Sequence, residues 1–229
     1  MILITEKQIQ NKRPYQEDSM RLFQNEDWII AIVCDGMGGH AYGKEASNDA
    51  ANFALSQLLT QSQLSTSIDD VFSSFFGAYD WLSHVPKGFT TYVSIIIHKS
   101  TMKARIEHLG DSSVFFLKKE NQSIKPMTVP HVSAFGGISM YVPDYTKPYV
   151  SHFDLDDLKD SKILVFSDGL DPAFKGVSFD FSKGLDQNFI KAPFDYESSL
   201  EDLFEIALQN GSSDNISAYM IEIKNEEVL

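Results

Sequence analysis

Apolar and polar positions along this chain predict many short strands and few helices. The central feature is Trp28–Cys34, seven apolar residues without a break, ending at Asp35. A run so rich in β-branched residues reads as a strand buried on both faces. Upstream, Met1–Ile9 reads as a first strand. Ser19–Phe23 joins the central run through the polar turn Asn25-Glu26-Asp27, which predicts a hairpin. Downstream, Ala50, Phe53, Ala54 and Leu58 recur at helical spacing within Ala46–Leu59, and Ile68–Leu82 reads as a second amphipathic helix. Thr90–His98, Lys103–Leu109 and Ser113–Lys118 predict a meander, with Ile124–Val129 as a further strand. Residues 130–150 read as loop, Lys162–Ser167 as a buried strand, and Asp171–Pro193 as irregular. Ser198–Gln209 reads as a helix with Ser198 as N-cap, Glu201 completing a capping box and Gly211 just past the end. Ile216–Ile223 is the last strand.

No repeat, low-complexity tract or linker divides the 229 residues. The expected architecture is therefore one α+β domain over residues 1–229, with hairpin-connected strands and helices on the sheet faces.

The ends of the predicted strands carry the chemistry. Asp35-Gly36, Gly110-Asp111 and Asp168-Gly169 follow strand-like runs, Asp214-Asn215 precedes one, and Glu17-Asp18 lies before another. Each taken alone is a turn signal. Five acidic loci in the same structural position suggest carboxylates converging on one rim of a sheet. Such carboxylates repel and resist ionising together unless cations neutralise them. Oxygen-only ligands favour Mg²⁺ or Mn²⁺ over zinc. Two such cations can lower the pKa of a water and neutralise a displaced oxyanion, which is metal-assisted hydrolysis. Arg13, four residues before Glu17, is the candidate for a bidentate phosphate clamp.

Charge and cysteine content narrow the picture further. A net charge of −13 argues against general nucleic-acid binding. The one cysteine, Cys34, excludes an internal disulfide and suits a reducing compartment. The N-terminal apolar run is too short for a signal peptide, and no run approaches the roughly 20 residues of a membrane helix. The expectation is a soluble, cytoplasmic, monomeric protein with no membrane or nucleic-acid partner. Two other chemistries fit poorly. Gly38 and Gly43-Lys44 have phosphate-loop spacing, but Glu45 stands where a hydroxyl should meet Mg²⁺. Cys34 lacks an arginine six residues on, where His40 stands, and reads as a buried small hydrophobe.

Six segments in order resemble the motifs of the type-2C metal-dependent protein phosphatases: Arg13–Asp18, Asp35–His40, Gly88–Thr91, Gly110–Ser112, Ser167–Leu170 and Ser213–Ile216. The resemblance implies a two-sheet antiparallel β-sandwich flanked by α-helices, with a dinuclear Mn²⁺ or Mg²⁺ site at one end. It implies phosphoserine and phosphothreonine in proteins as substrates, supplied by a serine/threonine kinase. It further implies that Asp35 bridges two metals, that Asp168 and Asp214 complete the first metal's ligands, and that the Gly36 carbonyl binds the second, with Glu17 and Asp18 acting directly or through waters. Arg13 would hold the substrate phosphate, Asp111 a third, weaker metal, and Asn215 would orient Asp214 or a water. A pseudo-phosphatase acting as a binding module is the alternative.

The departures from the pattern bear on mechanism. Met37 stands where some members carry a histidine proposed as general acid, so the proton donor is open. Ser113 replaces a frequent arginine, and Thr128-Val129-Pro130-His131 replaces an acid by proline. Pro172 stands where an aspartate is expected, with Asp171 one place early, which weakens the case for the third metal. The flap that bacterial members carry after residue 131 reads as nearly deleted, so substrate access should differ.

Overall fold

The structure is a computed structural model that describes residues 1–38, 42–64, 88–131, 149–155, 160–180, 185 and 189–224. The expected helix Ile68–Leu82, His40 and nearly all of the shortened flap lie outside the described residues.

Eleven described strands form two antiparallel sheets. They are β1 (Ile2–Ile9), β2 (Asp18–Gln24), β3 (Trp28–Asp35), β4 (Tyr92–His98), β5 (Lys103–Leu109), β6 (Ser113–Lys118), β7 (Ser123–Pro126), β8 (Tyr149–Asp154), β9 (Ser161–Phe166), β10 (Ile190–Lys191) and β11 (Ile216–Ile223). One sheet runs β1-β11-β9-β6-β7-β10 and the other β2-β3-β4-β5-β8. Helix α1 (Gly43–Leu64), a 3-10 helix (Asp168–Phe174) and helix α2 (Leu200–Gln209) complete the described elements. The expected α+β sandwich flanked by helices is the observed fold.

The period-2 geometry of strands explains why β3 is central. Its odd residues Ile29, Ala31 and Val33 face the other sheet and pack with Ile163, Val165 and Tyr219. Its even residues Trp28, Ile30, Ile32 and Cys34 face outward and pack under Ala46, Ala50, Ala54 and Leu58 of α1. Both faces are thus buried, as the uninterrupted apolar run requires. Each fully buried large side chain of this kind contributes roughly 1.5–3 kcal/mol relative to exposure. On the opposite outer face, Leu203, Phe204 and Ala207 of α2 cover Leu164 and Phe166 of β9. Lys162 steers that helix: its ammonium donates to the Tyr196 and Ser198 carbonyls, at 2.7 and 3.0 Å.

Four features differ from the expectation. The capping box of α2 uses Ser199 and Asp202, one residue later than Ser198 and Glu201. Leu200, Leu203, Phe204 and Ala207, at helical spacing, face the core. Part of the predicted loop 130–150 belongs to β8, which pairs with β5. The segment after Asp168 opens with a 3-10 helix rather than irregular chain, and contains the short strand β10. Finally, β5 carries an ion pair, Arg105 with Glu107, both fully buried, and Tyr92 donates to Glu107 at 3.3 Å.

Candidate active site

Strand ends bring the acidic loci together. Asp18 opens β2 and lies directly across from Asp35, the last residue of β3. Asp168 and Asp214 flank β9 and β11, neighbours in the other sheet. Asp111 precedes β6, which pairs with β9. The two sheets therefore present these residues at one end of the sandwich.

The loop after β3 is built to admit this cluster. The Asp35 carbonyl accepts from Thr91 N–H at 2.8 Å and from the Thr90 hydroxyl at 2.9 Å, while Met37 N–H donates to the Phe89 carbonyl at 2.9 Å. These bonds carry the antiparallel pairing past the end of β3, as a bridge between Gly36 and Thr90. A Cβ on Gly36 would stand 2.2 Å from the Gly43 carbonyl oxygen and 2.6 Å from that of Glu17. A Cβ on Gly38 would stand 2.7 Å from Arg13 Nη1 and 3.3 Å from Glu17 Oε2. At Gly36 the close neighbours are backbone atoms, an approach only glycine permits, while at Gly38 they are the ends of the Arg13 and Glu17 side chains.

Asn215 holds that preceding loop in place. Its side-chain oxygen accepts from Glu17 N–H at 2.9 Å, and its amide donates to the Gln10 and Tyr15 carbonyls at 2.8 and 3.0 Å. The side chain thus fixes the segment bearing Arg13 and Glu17, while the Asn215 backbone N–H donates to Asp214 at 2.8 Å. Arg13 forms an ion pair with Asp214.

Asp35 is the electrostatic hub. Its carboxyl lies within hydrogen-bonding reach of both the Asp18 and Asp168 carboxyls. Burial, followed by repulsion from Asp18, Asp168 and Asp111, holds Asp35 well above the ordinary carboxylate range. Burial pushes Asp18 up to about 6, against the pull of hydrogen bonds from Ser217 and Ser167. Asp111 rises to about 6 through burial and then Asp168. Asp168 is raised by burial first, and Glu17 by burial, then by Asp214 and Glu45 against the pull of Arg13. Asp18 Oδ1 and Asp168 Oδ1 are buried and face no donor. In full ionisation these oxygens point at like charge, a costly arrangement that a proton or a cation relieves.

Among the described residues, no three acidic, thiol or imidazole groups are drawn to the spacing of a closed metal site. The donor set nevertheless fits a hard divalent cation: it is all oxygen, it includes two buried oxygens without donors, and it adjoins a loop that glycine keeps open. Glu17, Asp18, Asp35, the Gly36 carbonyl, Asp111, Asp168 and Asp214 are the residues able to hold it.

Three features were not read from the sequence as part of this rim. Ser167 and Ser217 donate to Asp18. Asp171 feels both Asp168 and Asp111 across the 3-10 helix, although its exposure lets water screen that repulsion. His131 accepts from Gly110 N–H at 2.9 Å and stacks on His108, centroids 4.7 Å apart and planes 6° from parallel, which anchors the turn before Asp111. In sequence, Asp171 stands one place from an expected aspartate and Ser167 and His131 lie within motif segments, whereas Ser217 carries no motif signal.

Comparisons with known proteins bear on the family and the fold. Residues 6–220 match the family model described as protein phosphatase 2C. The serine/threonine phosphatase Stp1 from Staphylococcus aureus superposes with a TM-score of 0.73 at 20% identity, covering 98% of this chain and 96% of that one. The S. agalactiae serine/threonine phosphatase gives 0.71 at 17% identity, covering 97% and 100%. The catalytic domain of the serine/threonine protein phosphatase PstP, solved with two manganese ions, gives 0.66 at 18% identity, covering 98% and 99%. No curated protein sequence matches the chain. No described helix is long and apolar enough to cross a membrane. With a family match over almost its whole length and the two-sheet fold of those structures, the chain belongs to the protein phosphatase 2C family.

Proposed function

We propose that this chain hydrolyses phosphoserine and phosphothreonine in proteins, using two Mn²⁺ or Mg²⁺ ions held at the carboxylate rim. The observation that carries this reading is the Asp18–Asp35–Asp168 cluster, whose buried, donorless oxygens require a counter-charge, beside a guanidinium. Bound there, the cations would lower the pKa of an attacking water and offset charge on the phosphoryl group.

The protein's own groups do the rest. Asp35, which lies between Asp18 and Asp168, would serve both cations. Asp168 and Asp214 would complete one ligand set, and Glu17, Asp18 and the Gly36 carbonyl the other. Arg13 carries the planar fork that matches two phosphoryl oxygens. Arg13 is paired with Asp214 and would turn part of its fork to the phosphate. Asn215 keeps Arg13 and Glu17 in register with β11. Asp111, with Asp171 nearby, would hold a third and weaker ion. The substrates would be phosphoproteins of a serine/threonine kinase, and the single buried thiol, Cys34, is compatible with a reducing cytoplasm.

Phosphate release from a phosphothreonine peptide by the purified chain tests the proposal. We expect turnover with Mn²⁺, none in excess chelator, and slower hydrolysis of a phosphotyrosine peptide. Equal turnover with and without chelator would contradict metal-assisted hydrolysis.

A further inference from the structure

Beneath the rim, Asp18 is held by residues of the opposite sheet. Its Oδ2 accepts from Ser167 Oγ at 2.8 Å and from Ser217 Oγ at 2.7 Å. Ser167 follows β9 at the N-cap of the 3-10 helix, Ser217 lies near the start of β11, and both are fully buried; Asp18 opens β2 in the other sheet and is 5% exposed. These two bonds cross from one layer of the sandwich to the other directly below Asp35, the cross-strand neighbour of Asp18.

The direction of each hydroxyl is set by what donates to it. Ser217 N–H donates to Ser167 Oγ at 3.1 Å, and Gln8 Nε2 donates to Ser217 Oγ at 2.9 Å. A hydroxyl has one hydrogen. With an N–H already pointing at each oxygen, each hydrogen is left for Asp18. Gln8 also donates to the Asp18 carbonyl at 3.3 Å, so it grips both ends of this link. Ser167 N–H donates to the Ser217 carbonyl at 3.0 Å, which fixes the two serine backbones against one another. The result is a carboxylate with one oxygen fully engaged and the other, Oδ1, buried without a donor.

We infer that Ser167 and Ser217, oriented by Gln8, are positioning residues that fix the Asp18 carboxylate so that Oδ1 alone faces the cation site. The inference rests on the proposed reading of Asp18 as a cation-holding residue. A purely structural role is the competing account: buried serines satisfying a buried acid and tying the two sheets together. The two accounts separate in metal affinity. Groups that orient a ligand change affinity about 10–100-fold when removed. A tie between sheets changes the melting temperature of the metal-free protein and leaves affinity alone.

The experiment is a Mn²⁺ titration of the metal-free full chain, followed by electron paramagnetic resonance of free Mn²⁺, with metal-free melts alongside. Ser217→Ala should weaken the Asp18-dependent Mn²⁺ site about 10–100-fold. Ser217→Thr, which keeps the hydroxyl, should recover most of that loss. In an Asp18→Asn background, Ser217→Ala should produce no further loss, because the serine acts through Asp18. Gln8→Ala changes an exposed residue and serves if a buried substitution fails to fold; it should weaken the same site by a smaller factor. Mn²⁺ affinity unchanged in both Ser217→Ala and Gln8→Ala, with wild type binding normally, overturns the inference and leaves the proposed function standing. A wild-type chain that binds no Mn²⁺ overturns the proposed function, and this inference with it.

Discussion

At the scale of single residues, the rim separates charge from shape. Asp168→Asn keeps the size of the side chain and removes one charge from a cluster that burial and repulsion already push toward protonation. We expect the metal-free variant to melt at or above the metal-free wild type. Its Mn²⁺-induced rise in melting temperature should be much smaller, and its activity slight. Melts of both proteins in chelator and in Mn²⁺ decide the matter, since equal metal shifts would remove Asp168 from the site. Arg13 offers a complementary test. If it clamps phosphate with its planar fork, Arg13→Ala should raise KM for a phosphopeptide more than it lowers kcat, and Arg13→Lys should recover only part of the loss. An unchanged KM in Arg13→Ala would place this residue outside the substrate site. The acidic loci were legible because each sits at a strand end beside a small residue. Ser167 is legible only as part of a motif, since nothing in a lone serine says that its hydroxyl reaches an aspartate 149 positions away.

At the scale of elements, two glycines of the same motifs should fail in different ways. A Cβ at Gly38 would meet the far end of the Arg13 side chain, which can swing aside. A Cβ at Gly169 would stand 1.9 Å from the Asn215 carbonyl oxygen, part of the backbone that seats β11. We expect Gly169→Ala to cost on the order of 1–3 kcal/mol or more of stability, as overpacking does. Gly38→Ala should leave the melting temperature nearly unchanged and raise KM for phosphopeptide instead. Matched denaturation and kinetic measurements on the two variants check this; a strongly destabilised Gly38→Ala would show that its loop braces the fold. The elements themselves were legible where hydrophobic period was long and clean, as in β3, β4 and β11. The capping register was not, because Ser198-Ser199 and Glu201-Asp202 satisfy the same spacing one residue apart. The reciprocal bonds, Asp202 N–H to the Ser199 hydroxyl and Ser199 N–H to the Asp202 carboxylate, identify Ser199 with Asp202. Strand β8 escaped notice because Tyr149–Asp154 is short and mixes polar with apolar residues, and its pairing with β5 is a long-range contact.

At the scale of the whole molecule, the rim sets how stability depends on pH. Asp18 and Asp111 titrate at about 6 in the folded protein, above the ordinary aspartate value, and Asp35 and Asp168 are also raised. Their contribution is fully present below the unfolded value and is lost as pH rises through the folded one. His108 runs the other way: burial lowers it to about 4, so its contribution is full above its ordinary value and is lost as pH falls through 4. His131 is lowered by burial as well. With Glu17 and Asp171 also raised, six raised carboxyls outnumber two lowered imidazoles, so the metal-free protein should melt lower at pH 7.5 than at pH 5.5. Saturating Mn²⁺ should reverse that slope, because ligand carboxylates must lose their protons to bind metal. A metal-free melting temperature that rises between those pH values would contradict the arrangement. Metal at a hundredfold excess over Kd should also stabilise the fold by about 2.7 kcal/mol. The most direct measurement is the stoichiometry of Mn²⁺ binding at neutral pH in wild type and in Asp35→Asn. Two ions per wild-type chain, with proton release on binding and the loss of both high-affinity ions in Asp35→Asn, is the predicted result. Unaltered binding in Asp35→Asn, or no binding by the wild type, would contradict a cation site centred on this aspartate.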